Sequence, residues 1–106
     1  MAKVKPLENQ PEKKCICGSW MNHWKVFSHQ QIMMCVAAHC SGTDLTGVHV
    51  QRTDPDDTRI YVVPLCEKHG KSKEAIEISD HTKLITADIT KTCGYGPTVY
   101  LQPDIL

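Results

Sequence analysis

The stretch that decides the fold is residues 59–69, which have the sequence RIYVVPLCEKH. Its first half is rich in β-branched and aromatic residues, a composition that predicts a strand. Its second half places Cys66 and His69 three positions apart at the predicted start of a short helix. Two residues between such side chains let both turn toward one tetrahedral ion, so the strand is predicted to end at half of a metal site.

The other half of this site is predicted upstream, at Cys35 and Cys40. Four residues separate these two cysteines, which is within the range of zinc knuckles. Cys35, Cys40, Cys66 and His69 therefore form a Cys3His set, and zinc is the predicted cofactor. The alternative is disulfide bonding, since six cysteines in a short chain allow fifteen pairings.

Disulfides belong to oxidising compartments, and the first fourteen residues lack the apolar run of a secretory signal. Zinc is therefore favoured over disulfides, and the predicted location is cytoplasmic.

A second zinc site is a further hypothesis, and it starts from the C-x-C pair Cys15 and Cys17. His23 and Cys93 would complete this set, with His49 as an alternative fourth ligand. The chain would then bind two zinc ions instead of one. A different hypothesis makes Cys15 and Cys17 a dithiol that exchanges disulfides, which would make the protein a thiol redox protein.

Length and charge set the limits of the domain organisation. The chain has 106 residues, with 12 Lys and Arg against 12 Asp and Glu. This length predicts a single small domain, which we place at residues 15–106 as one zinc-binding domain. Residues 1–14 are polar and locally basic and are predicted to be a flexible arm. No apolar run approaches the roughly 20 residues of a membrane helix, so no membrane partner is expected.

The remaining elements follow from local patterns. Ser19 is a predicted cap for a helix whose one face carries Trp20, His23, Trp24 and Phe27. The turn signal Asp-Pro-Asp-Asp at residues 54–57 joins a predicted strand over 48–51 to the one over 59–63. Shorter strands are predicted over 75–78, 84–87 and 98–101. The fold class is thus a small zinc-stabilised α+β domain in which knuckle, hairpin and short helix follow one another, the plan of a treble-clef finger.

Over residues 35–69 the chain resembles the HNH endonuclease family. The resemblance rests on the knuckle 35–40, on residues 47–50 (Gly-Val-His-Val) and on residues 62–69, of which the stretch Pro-Leu-Cys-Glu-Lys-His is the most specific. It implies a ββα-metal fold with a structural zinc and places His49 at the family's general base, which activates water against a phosphodiester.

The chain departs from the family at three positions. Val48, Tyr61 and Gly70 stand where the family has a further metal ligand, its Asn and its trailing His. The resemblance therefore implies a catalytically inactive, HNH-like binding module, with a metal-dependent HNH-type endonuclease as the alternative. The partner is either a protein or a nucleic acid. Because basic and acidic residues are interleaved and the net charge is zero, a protein fits slightly better.

Overall fold

The computed structural model describes residues 2–8, 10 and 17–88, which form a small α+β domain. Its centre is a five-stranded antiparallel sheet with the strand order β4-β1-β2-β3-β5. The elements, in chain order, are β1 (Ala2–Pro6), α1 (Trp20–Ser28), β2 (Thr46–Arg52), β3 (Ile60–Leu65), α2 (Glu67–Gly70), β4 (Ile76–Ile78) and β5 (Ile85–Thr86).

The predicted hairpin is formed by β2 and β3, in a register that pairs Val48 with Val63 and His49 with Val62. Its connecting turn is held by the carboxylate of Asp57. The Nε–H group of Arg59 donates to this carboxylate at 3.0 Å, and the hydroxyl of Tyr61 donates at 2.8 Å. These hydrogen bonds hold the pKa of Asp57 well below its usual range. The turn therefore keeps its carboxylate charged while it connects the two central strands.

One face of the sheet carries the apolar core. Side chains alternate between the two faces of a strand, so Val48 and Val50 of β2 lie on the same face as Val63 and Leu65 of β3. The segment after α1 covers this face, with Val36 and its neighbours buried against it. This core therefore lies directly beside Cys35 and Cys66, which belong to the same buried cluster.

The opposite face of β2, β3 and β5 is covered by α1. As predicted, Ser19 caps this helix, and its hydroxyl accepts the N–H group of Asn22 at 3.1 Å. Trp24 is fully buried and donates its Nε1–H group to the carbonyl of Lys83 at 2.8 Å. The helix approaches β2 closely because Gly47 has no side chain: a Cβ atom there would lie 2.4 Å from the backbone carbon of Trp20.

The structure corrects the prediction of a flexible arm over residues 1–14. Ala2–Pro6 form β1, which lies between β2 and β4, and Val4 is fully buried. The prediction relied on the polar composition and overlooked an alternation of exposed and buried residues that is typical of a strand. Lys3 and Lys5 are exposed, while Val4 and Pro6 are buried. Residues 2–6 of the predicted arm are therefore a strand of the sheet. Residues 1, 9 and 11–14 lie outside the described residues.

The two short strands predicted over 75–78 and 84–87 are confirmed as β4 and β5, although both are shorter than predicted. The strand predicted over 98–101 lies outside the described residues. Within the described part of the chain, neither helix has the length and apolar character needed to cross a membrane.

Candidate metal centre

Four side chains from two separate segments meet at one end of the core. Cys35 and Cys40 come from the loop between α1 and β2, which we call the knuckle, residues 35–42. Cys66 and His69 come from the start of α2, immediately after β3. Their ligand atoms all lie within 4.8 Å of one another. The structure thus brings together the Cys3His set that the sequence predicts and positions it to bind one metal ion.

The distances between the ligand atoms suit a tetrahedral zinc site. The Nδ1 atom of His69 lies 3.2 Å from the Sγ atom of Cys66 and 3.7 Å from that of Cys35. The Sγ atoms of Cys40 and Cys66 are 3.8 Å apart. Zn–S bonds of about 2.3 Å and Zn–N bonds of about 2.0 Å place tetrahedral ligands roughly 3.5–3.8 Å apart. The cluster therefore has the size that such an ion requires.

Backbone groups around the cluster are arranged to support thiolates. The N–H group of Gly42 donates to the Sγ atom of Cys40 at 3.4 Å, and the carbonyl of Gly42 accepts the N–H group of Cys35 at 2.8 Å. A Cβ atom at Gly42 would lie 2.9 Å from the Cβ atom of Cys66. Hydrogen bonds to ligands orient them and stabilise their charge, so Gly42 closes the knuckle around the site.

A further contact joins the knuckle side of the site to α2. The carboxylate of Asp44 accepts the N–H group of Glu67 at 3.1 Å. This hydrogen bond satisfies one of the unpaired donors at the start of α2, next to Cys66. Sequence analysis missed both Gly42 and Asp44. The glycine two positions after Cys40 was the available sign of a tight knuckle.

The thiols of the cluster have unequal acidities. Burial raises the pKa of Cys35 to about 11. Burial alone would also raise the pKa of Cys66, but the backbone N–H group of His69 and the side chains of His69, Cys35 and Cys40 outweigh it and lower this pKa to about 7. Crowded thiols cannot all ionise without a cation between them, so the cluster favours a positively charged ligand.

His49, the predicted general base, is not part of this cluster. It lies in the middle of β2 with 3% of its surface exposed, and its ring contacts that of Trp20 at a centroid distance of 4.3 Å. No described residue hydrogen-bonds to its imidazole. Burial and the neighbouring His23 lower the pKa of His49 to about 4, so the ring is neutral at pH 7.

His49 also lines a cavity of about 750 Å³ on the surface between β2 and α2. Its backbone is held by Gln10, whose Oε1 atom accepts the His49 N–H group at 2.7 Å and whose Nε2 atom donates to the His49 carbonyl at 3.0 Å. Nothing in the sequence indicates this role for Gln10, because the two residues are 39 positions apart.

The structure describes only two of the four residues in the second predicted zinc set, Cys17 and His23. Cys15 and Cys93 lie outside the described residues, so this set stays a prediction, as does the redox hypothesis for Cys15 and Cys17. His23 is fully buried on α1, and its Nε2 atom lies 2.9 Å from the carbonyl oxygen of Thr86. That ring nitrogen is thus engaged with β5 in this structure.

Comparison of the chain with protein-family models, with curated proteins and with solved structures finds no match. The class of protein is therefore defined by the fold and the site alone. It is a small α+β domain with a five-stranded antiparallel sheet and a Cys3His cluster positioned to bind one metal ion.

Proposed function

We propose that this chain is a zinc-stabilised binding module of the treble-clef, HNH-like type, in which the metal holds the fold together. The observation that carries the proposal is the convergence of Cys35, Cys40, Cys66 and His69 within 4.8 Å. A thiolate-rich tetrahedral set prefers zinc among the common cellular cations, because soft sulfur ligands disfavour calcium and magnesium. The four protein ligands leave no position for a reacting water, which is typical of structural sites.

The order of the elements supports the treble-clef assignment. The knuckle with Cys35 and Cys40 precedes the hairpin of β2 and β3, and α2 with Cys66 and His69 follows it. Two ligands thus come from a knuckle and two from the start of a helix. Bound zinc would join these segments, which lie more than twenty residues apart in the chain, and its binding energy would contribute directly to folding.

The test of this proposal is metal content together with thermal stability. We expect the purified chain to contain one zinc ion, and Cys66→Ser to abolish zinc binding and lower the melting temperature. Cys17→Ser is the matched control: it keeps the full zinc content if the chain binds one ion and loses one equivalent if Cys17 belongs to a second site. A chain without metal, or a melting temperature unchanged by a strong chelator, would refute the proposal.

A second candidate function is that of a metal-dependent HNH-type endonuclease, with His49 as general base. Two observations favour it. The imidazole of His49 is neutral at pH 7 and has no hydrogen-bond partner among the described residues, and it lines the cavity between β2 and α2. A neutral imidazole is the form that accepts a proton from water. Such a nuclease would also need a divalent ion near the phosphate.

A plasmid-nicking assay with Mg²⁺ or Mn²⁺ separates the two candidates. The nuclease predicts nicking that His49→Ala abolishes, while the exposed-histidine control His81→Ala retains it. Wild-type activity equal to that of His49→Ala, at the background level, would eliminate the nuclease and leave the binding module.

A further inference from the structure

One part of the central strand β2 has no partner on one side within the part of the chain that the structure describes. β1 pairs with β2 only as far as Pro6 opposite Val50, and the N–H group of Leu7 then donates to the His49 carbonyl at 3.0 Å. The side chain of Gln10 also hydrogen-bonds to His49, accepting its backbone N–H group and donating to its carbonyl. Gly47 is the next residue of β2 whose backbone groups face this side.

The geometry of the ladder shows where the backbone of Gly47 points. Its cross-strand partner in β3 is Pro64, which has no N–H group. In an antiparallel ladder, residues alternate in the direction of their N–H and C=O groups, so Gly47 shares the direction of His49, away from β3. No described residue hydrogen-bonds to these two groups of Gly47. We call them the free edge of β2.

A cavity of about 750 Å³ lies along this free edge, which is within the volume range of ligand sites. Trp20 and Leu45 supply apolar surface to it, and Gly70 of α2 lines its other side. The imidazole of His49, 97% buried and without a hydrogen-bond partner among the described residues, also belongs to its lining. The cavity thus combines apolar walls with polar groups that have no partner among residues 2–8, 10 and 17–88.

The charged side chains in the lining of the cavity are Asp44, Glu67 and Lys71. Glu67 and Lys71 form an ion pair at 2.9 Å, and no described residue forms an ion pair with the carboxylate of Asp44. The cavity is therefore net negative, and it would repel a phosphate backbone while it attracts a basic side chain.

We infer that the free edge of β2 binds an extended, Lys- or Arg-containing peptide segment of a partner protein by strand addition. The peptide's own N–H and C=O groups pair with those of Gly47, one of its side chains enters the cavity beside Trp20 and Leu45, and its basic residue pairs with Asp44. Main-chain pairing supplies affinity in this mode, and the pocket supplies specificity. The inference rests on the proposed binding function, for which it names the surface and the partner class.

The test uses the full zinc-loaded chain and a phage-displayed library of random heptapeptides. We expect selected peptides to be enriched in Lys and Arg. For the best synthetic peptide, we expect methylation of the one backbone nitrogen that pairs with Gly47 to weaken binding at least tenfold. Methylation of the neighbouring nitrogens, which point away from β2, should leave affinity within twofold. This alternation is specific to strand addition.

A substitution on the protein side tests the charge. Asp44→Asn keeps an oxygen that can accept the Glu67 N–H group but removes the charge. It should lower the affinity for the peptide at least threefold at low salt. The matched control is Asp54→Asn, because Asp54 accepts the N–H group of Asp56 in the same manner at the far end of the hairpin. This control should leave peptide affinity unchanged.

Several results would overturn the inference. One is that no selected peptide binds the chain saturably, and another is that no backbone methylation changes the affinity of the best peptide. A third is that a DNA oligonucleotide binds more tightly than the peptide and shifts the signals of the same residues in ¹⁵N-edited spectra. Self-association of the chain through Gly47 would also overturn the inference, because the occupant of the free edge would then be a second copy of this chain. Zinc content measured on the same sample separates these outcomes from failure of the proposed function: a zinc-loaded chain that binds no peptide refutes only the inference.

Discussion

Two buried imidazoles, those of His23 on α1 and His49 on β2, both contact the Trp20 ring. Both residues are at least 97% buried. Burial disfavours the charged form of an ionisable group, and the neighbouring His23 further disfavours a proton on His49. The contact that His49 makes with α1 therefore depends on pH.

This dependence gives a prediction for His49. Its pKa is lowered from 6.5 to about 4 in the folded chain, so the unfolded chain binds a proton first as the pH falls. The contribution of His49 to stability is complete above pH 6.5 and is lost as the pH falls through 4, on the order of 3 kcal/mol in all.

Denaturant unfolding between pH 4.5 and 7.5 measures how the free energy of unfolding changes with pH. Because thiolate ligands also take up protons in acid, the informative quantity is the difference between variants. His49→Gln should flatten the pH dependence relative to wild type, and His81→Gln, at an exposed site, should not. Parallel curves for wild type and His49→Gln would contradict the assignment.

Thr82 carries a buried hydroxyl that has no hydrogen-bond partner among the described residues. This hydroxyl is its Oγ1 atom. An unsatisfied buried polar group costs roughly 1–3 kcal/mol, so Thr82→Val, which keeps the shape of the side chain, should raise the free energy of unfolding by about 1 kcal/mol. Thr58→Val, at an exposed site, should change it by less than about 0.5 kcal/mol. A loss of stability in Thr82→Val would show that this hydroxyl is hydrogen-bonded in solution.

At the scale of the elements, the position of α1 depends on one residue of β2. Gly47→Ala would place a methyl group 2.4 Å from the Trp20 backbone, where no side-chain rotation can relieve the contact. We expect a destabilisation of about 1–3 kcal/mol, as for other overpacked sites. Gly70→Ala is the graded control, since its methyl group would meet only the Val48 side chain, at 3.1 Å. Equal stability of both variants would mean that α1 is free to move away from β2.

The strand β1 is the element that composition did not predict. Val4 is fully buried between β2 and β4, so Val4→Ala should lower the free energy of unfolding by about 2 kcal/mol, through lost burial and the cavity left behind. Lys5→Ala, on the exposed side of the same strand, should have little effect. Chemical denaturation of both variants measures the difference. Equal stability of the two variants would contradict the strand and indicate that residues 2–6 do not pack against the sheet in solution.

At the scale of the whole molecule, the Cys3His cluster brings together parts of the fold that are far apart in the chain. Cys35 and Cys66 belong to the same apolar core as Val4 of β1 and Ile78 of β4. If the cluster binds zinc as proposed, removal of the ion would therefore affect the sheet as well as the knuckle.

The whole-molecule prediction is that stability follows the concentration of free zinc. A ligand that binds only the folded chain at 100 times its dissociation constant adds about 2.7 kcal/mol to the free energy of unfolding. Melting temperatures across a buffered zinc series should rise accordingly. Calcium, which prefers oxygen ligands, is the control and should leave them unchanged. A melting temperature independent of zinc would exclude a structural metal.

Local spacing predicted much of this arrangement. The C-x4-C and C-x-x-H pairs indicated the four residues that meet, because a knuckle or helix turn can direct two side chains with two to four residues between them toward one point. The period of α1, its Ser19 cap and the hairpin turn were predictable for the same reason. Zinc, the treble-clef assignment and the HNH-like character stay proposals.

What the sequence by itself determined is therefore local: which residues form α1, the hairpin and each half of the metal cluster. Only the tertiary structure decided that β1 lies between β2 and β4, that Gln10 holds the backbone of His49, and that Gly47 admits α1 while its backbone stays without a described partner. The physical reason is distance along the chain. These contacts join residues about 27 to 76 positions apart, and no short-range periodicity or spacing encodes such pairs.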